Sequence, residues 1–119
     1  MTWVWVAVAG ALGALTRYGV GVAIGPQVFP WGTWAVNISG SFLLGLVLTL
    51  GTRLPDHVTT AIAVGYIGAF TTYSTFSWEL FTLGRTDRLL VASAYLASSV
   101  VLGILAAALG YRLGRLLQS

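Results

Sequence analysis

From Thr71 to Ser77 the chain reads Thr-Thr-Tyr-Ser-Thr-Phe-Ser, so six of seven consecutive side chains bear a hydroxyl within an apolar stretch. Hydroxyls at that depth are costly unless bonded, and Gly65 and Gly68 just before them weaken any helix running through. Irregular backbone deep in a membrane is tolerated where protein encloses it or it lines a cavity, and its free carbonyls then suit a cation. A break is therefore expected between Gly68 and Thr72. The alternative is an intact helix whose hydroxyls bond back to carbonyls four residues earlier.

Phe70, Tyr73 and Phe76 recur at three-residue spacing, which lines their rings along one helical face. Such a stripe is ordinarily packing. Ring edges, however, carry the positive end of the quadrupole, so a dehydrated anion can rest against them without a full charge to trap it. Thr33, Asn37 and Ser41 recur every four residues, a polar stripe on an otherwise apolar helix. The Asn37 amide must face other helices or water, where its NH₂ either donates to an anion or bonds helix to helix.

Arg17 lies within the first apolar stretch and needs water, a carboxylate or a helix C-terminus; Glu79 is its expected partner. In the last stretch Ser98 and Ser99 sit among Ala, Val and Leu, and one of them is expected to face whatever Asn37 faces. Catalysis finds little support. The sole histidine, His57, stands beside Asp56 in a short connection, and neither a nucleophilic triad nor metal-ligand spacing is present.

The elements that must position these groups are membrane helices. A chain of 119 residues, 57% hydrophobic and 8% charged, with mean hydropathy +0.88, lies far outside the range of soluble domains. Apolar stretches run from Trp3 to about Ile24, Gly32 to about Leu50, Val58 to about Leu83 and Leu89 to about Leu113, punctuated by Pro26, Pro30, Pro55 and the run Arg85-Thr86-Asp87-Arg88. The expected fold is an all-α integral membrane protein: one domain over 1–119, four transmembrane helices, the third broken near the midplane, both termini on one side. The first stretch lacks a basic leader and is too long for a signal peptide, so it is expected to span.

Fifteen glycines occur, many inside the stretches. They are expected to let backbones approach and to support a dimer; the alternative is their use within one bundle. The six arginines are scattered singly, which excludes a nucleic-acid surface, and without cysteine there is no disulfide or thiolate. Arg53, Arg112 and Arg115 fall on one side, Arg85 and Arg88 on the other, joined there by Arg17 if the first helix lets it snorkel that way, three against two or three. So even a balance gives little orientational preference, and two opposed copies could pair about a two-fold axis in the membrane plane.

Three segments, Gly10 to Tyr18, Gly32 to Gly45 and Gly65 to Glu79, resemble in order and spacing the motifs of the Fluc (CrcB) fluoride channels, and the resemblance covers essentially the whole chain. It implies a dual-topology antiparallel homodimer in the inner or plasma membrane, with two parallel fluoride pores and a structural sodium ion (Na+) at the centre, expelling toxic cytoplasmic fluoride. It also implies that Asn37 is the pore amide, with Thr33 one turn before it, and that Tyr73 and Phe76 are the pore aromatics, drawn from both subunits. The backbone carbonyls of Gly68 and Thr71 match the sodium ligands, Ser99 a polar track on the fourth helix with Ser98 its neighbour, and Arg17 the first-helix arginine. Glu79, Thr72, Ser74 and Thr75 support that arrangement. Where the family usually has Phe, this chain has Tyr73, which leaves ring edge and hydroxyl both open.

Fluoride is small and strongly hydrated, so its pore must replace water with donors while staying weak enough to release it. A rival is a proton-coupled small multidrug exporter, which needs an embedded carboxylate, and only Glu79, toward the end of the third stretch, offers one. A non-transporting accessory protein would account for the glycines but not for the hydroxyls of Thr71 to Ser77.

Overall fold

The computed structural model describes residues 1–119 as helices joined by short connections, without strands. Helix α1 (Thr2–Ile24) ends at Gly25, whose φ of 73° is accessible to glycine and carries the chain into Pro26. Helix α2 (Trp31–Leu50) starts after Pro30 and tightens into a 3₁₀ turn, Gly51–Arg53, before Pro55. The third apolar stretch is subdivided into α3 (Asp56–Thr60), a π-helical stretch (Ala61–Ile67), the single turn α4 (Gly68–Phe70) and α5 (Tyr73–Arg85). Helix α6 (Leu89–Gln118) completes the chain and runs on past the expected end near Leu113, because Arg112 and Arg115 are good helix formers and do not stop it. Three helical stretches are long and apolar enough to cross a membrane: Thr2–Ile24, Trp31–Arg53 and Leu89–Gln118.

Packing rests on backbone-to-backbone approach. A Cβ on Gly45 would collide with the Ala107 carbonyl, and one on Gly110 with the Phe42 carbonyl, so α2 and α6 touch along their main chains. Between α1 and the interrupted segment, Gly13 sits against the backbone of Tyr66, and a Cβ on Gly65 would come within 2.7 Å of the Val6 carbonyl. These four glycines serve contacts inside one chain, the use weighed as the alternative to a dimer interface, whereas Gly19 and Gly21 meet nothing within 4 Å in that chain.

Only 13 of 119 residues are buried, and exposed apolar side chains such as Trp3, Leu90 and Leu116 cover the outside, which is the arrangement of a protein solvated by lipid. Both termini lie at one end: the Trp5 and His57 rings lie 6.5 Å apart, tilted at 37°, and Gln118 bonds to Thr49 and Thr52 at the end of α2.

Candidate ion pathway at the interrupted helix

The chain leaves helical geometry at Thr71 (φ −87°, ψ 160°) and Thr72 (φ −150°, ψ 120°), inside the interval the sequence marks for a break. Thr72 then restarts the helix: its hydroxyl accepts the Thr75 amide at 3.2 Å as the N-cap of α5. Ser74 Oγ lies 3.5 Å from Thr72 Oγ1. Upstream, the Thr71 hydroxyl donates to the Ile67 carbonyl at 3.0 Å, and the Thr71 methyl fills the space a Cβ on Gly40 would occupy.

Asn37, from α2, holds the gap. Its Nδ2 donates to the Thr72 carbonyl at 3.0 Å and its Oδ1 accepts the Thr72 amide at 2.8 Å. The amide group thus replaces the helix bonds lost at the break, leaving one N–H of its two free. Arg17 supplies a second support from α1, its Nε donating to the Ala69 carbonyl at 3.0 Å, one of the carbonyls orphaned where α4 ends. Glu79, in contrast, accepts the Tyr95 hydroxyl at 3.1 Å. The expected pairing of Arg17 with Glu79 is therefore corrected: the arginine reaches a helix C-terminus and the carboxylate is engaged from α6.

Two open recesses flank the staple, and Thr72 lines both. The first, about 520 Å³, includes Arg17, Thr33, Thr75 and Glu79. The second, about 320 Å³, includes Asn37, Ser41, Gly68, Thr71, Tyr73 and Phe76. Tyr73 is 82% exposed, whereas Phe76 stands edge-to-face against Tyr95 with centroids 5.0 Å apart and planes at 73°. Of the residues singled out by type and spacing, Arg17, Thr33, Thr75 and Glu79 meet on the first recess and Asn37, Gly68, Thr71, Tyr73 and Phe76 on the second, with Thr72 on both.

Ser98 accepts the Trp34 indole N–H at 3.0 Å, and Ser99 Oγ is enclosed with no hydrogen-bond partner; neither lines either recess in a single chain. Tyr95, fully buried, was missed by sequence reasoning. A lone tyrosine in a run of Ala and Leu was its only signal, since it acts through Phe76 and Glu79 on another helix.

No cluster of His, Asp or Glu capable of holding a metal is present, so a cation here would rest on backbone oxygen. Gly68 and Thr71 fit that role chemically. The amides four residues on, at Thr72 and Thr75, are diverted to Asn37 Oδ1 and Thr72 Oγ1, so helical closure leaves both carbonyls free.

A family model described as CrcB-like protein, Camphor Resistance (CrcB), matches residues 4–111. The chain is 45% identical over 123 residues to the fluoride-specific ion channel FluC of Acidobacterium capsulatum, covering 96% of each sequence. It is 43% identical over 119 residues to the FluC of Magnetococcus marinus, covering 95% of this chain and 97% of the relative. Against the FluC of Hahella chejuensis the identity is 43% over 121 residues, covering 96% and 94%. With motifs, broken helix and nearly full-length similarity in agreement, the chain belongs to the CrcB-like family.

Proposed function

We propose that the chain forms a fluoride-selective channel that lets the ion leave the cytoplasm down its gradient and so protects the cell from fluoride. The observation that carries this reading is the Asn37 amide, fixed at both ends to Thr72 and left with one N–H beside Tyr73 and Phe76. Neutral donors and ring edges replace the water of a strongly hydrated anion without the full charge that would trap it. The names of the relatives, fluoride-specific ion channels, support the same conclusion. The function is conduction rather than catalysis.

In this reading two subunits pair antiparallel, as four-span protomers of the inner or plasma membrane. Tyr73 presents most of its ring outward, where a second copy supplies the facing wall. Arg17 is occupied inside the bundle, so the ends hold Arg53, Arg112 and Arg115 against Arg85 and Arg88, a small difference for a chain that must insert both ways. Ions enter through the recess of Arg17, Thr33 and Thr75, where the guanidinium raises local anion concentration and the hydroxyls donate. They pass Asn37, Tyr73 and Phe76, with Ser99 the one enclosed hydroxyl free to donate from α6. The carbonyls of Gly68 and Thr71, with their counterparts in the second subunit, would hold Na+, whose charge would tie the two breaks together at the dimer centre.

The test is ion efflux from proteoliposomes at low protein density, with chloride beside fluoride and Asn37→Ala beside the native chain. Fast passive fluoride loss, retained chloride and a variant slowed at least about tenfold are expected. Flux that depends on a proton gradient would replace the channel with a coupled transporter.

A further inference from the structure

At the end of the molecule that holds both termini, Arg53, Arg112 and Arg115 are left without an assigned part in conduction. The 3₁₀ turn after α2 and the last turns of α6 border a shallow, open recess of about 430 Å³ whose five lining residues, Thr52, Arg53, Arg115, Gln118 and Ser119, are all polar. A second recess of about 430 Å³ shares Arg115 and Ser119 and adds Arg112, Tyr111 and Leu116. The walls are fixed. Gln118 Nε2 donates to the Thr49 carbonyl at 2.6 Å and to Thr52 Oγ1 at 2.9 Å, while Arg53 Nη2 donates to the Gln118 carbonyl. That last bond also masks one of the carbonyls whose negative end would repel an anion at a helix C-terminus.

Depth fixes the surroundings. At 1.5 Å per residue the 30 residues of α6 span about 45 Å, well beyond a hydrocarbon core of about 30 Å. Counted from the charged loop at Arg85 and Arg88, about 20 residues carry α6 across, so Arg112 and Arg115 stand in the headgroup layer. The carboxylate side chain near this end, Asp56, lines neither recess, and the main-chain carboxylate at Ser119, which lines both, is the one anion a phosphate must compete with there. Toward the bilayer centre from the arginines, Leu105, Leu109 and Tyr111 are exposed and give an acyl chain an apolar path.

We infer that Arg53, Arg112 and Arg115 form a site for a phosphate group carried by an anionic lipid, with the guanidiniums on the phosphate and the outer face of α6 along the acyl chain. Planar guanidinium forks grip phosphate bidentately, and basic pockets between membrane helices suit anionic headgroups. This site does not depend on the channel reading, since none of its residues lies in the ion pathway.

The test is native mass spectrometry of the full chain released from detergent, after exposure to phosphatidylglycerol, phosphatidylcholine or inorganic phosphate. Retention of phosphatidylglycerol at least about fivefold above phosphatidylcholine is expected, with loss of that preference in the double variant Arg53→Gln/Arg115→Gln and partial retention in Arg53→Lys/Arg115→Lys. Arg112→Gln, which leaves the Arg53 to Gln118 bond intact, should weaken retention without touching the fold. Equal retention of the two lipids, or a preference unchanged in every variant, overturns the proposal. Inorganic phosphate that binds in place of the lipid and displaces it overturns the lipid source. Fluoride efflux of the variants, measured alongside, should stay native.

Discussion

Asn37 and Thr72 exchange two hydrogen bonds, Nδ2 to the Thr72 carbonyl at 3.0 Å and the Thr72 amide to Oδ1 at 2.8 Å, so one side chain occupies both main-chain groups of a residue on another helix. A pore amide and a structural staple are thus the same group. Asn37→Ala should both slow fluoride efflux and destabilise the fold, by about 1–3 kcal/mol for each polar group left unpaired in the bilayer. Flux and thermal unfolding measured on the same preparation separate the two effects; a variant that loses flux at native stability would deny the staple.

Arg17 reaches the Ala69 carbonyl through Nε, which lysine lacks. Arg17→Lys should therefore behave much like Arg17→Gln at the break, and backbone hydrogen exchange over residues 69–72 should rise about tenfold or more in both, consistent with about 1.5–3 kcal/mol for a charge-assisted bond. Native protection in the lysine variant would show that charge alone, not the Nε donor, holds the segment.

Tyr73 makes no hydrogen bond in the chain through its hydroxyl, and the residue is 82% exposed. A ring-edge role predicts that Tyr73→Phe conducts within about threefold of the native channel, whereas Tyr73→Ile removes the quadrupole and fails. Efflux assays on the pair decide it, and loss of flux in the phenylalanine variant would transfer the role to the hydroxyl.

Tyr95 aims Phe76 through its ring and engages Glu79 through its hydroxyl. Tyr95→Phe should keep flux while lowering stability by about 1–3 kcal/mol. Tyr95→Ala should lose both, with a cavity cost of about 3–5 kcal/mol and Phe76 free to rotate. Denaturation midpoints read beside flux give the comparison.

A methyl group separates the glycines. Gly110→Ala would place a Cβ on the Phe42 carbonyl and should cost at least about 1–3 kcal/mol as α2 and α6 part, while Gly84→Ala meets nothing within 4 Å and should be neutral or gain up to about 1 kcal/mol. Detergent unfolding of the two variants would sink the close-packing account if they behaved alike.

How far the sequence reaches follows from the range of each interaction. The break was legible because its causes are local: glycines, a hydroxyl run, and a threonine three residues before the amide it caps. The π-helical stretch from Ala61 to Ile67 was not, since nothing in its residue types distinguishes a bond to the fifth preceding carbonyl from one to the fourth. Tyr95 was missed for a different reason: its value lies in partners 16 and more residues away. The Arg17 contact joins residues 52 apart: a helix C-terminus was among the partners the sequence allowed, but a 52-residue separation gave no means of preferring the Ala69 carbonyl to the Glu79 carboxylate.

Main-chain contact between α2 and α6, at Gly45 on Ala107 and Gly110 on Phe42, is closed at one end by Gln118 on Thr49 and at the other by Trp34 on Ser98. The pair is mechanically a single plank. Because Asn37 rides on it, every displacement of the interrupted segment is measured against a fixed reference, and compliance is confined to the elements that the plank does not include.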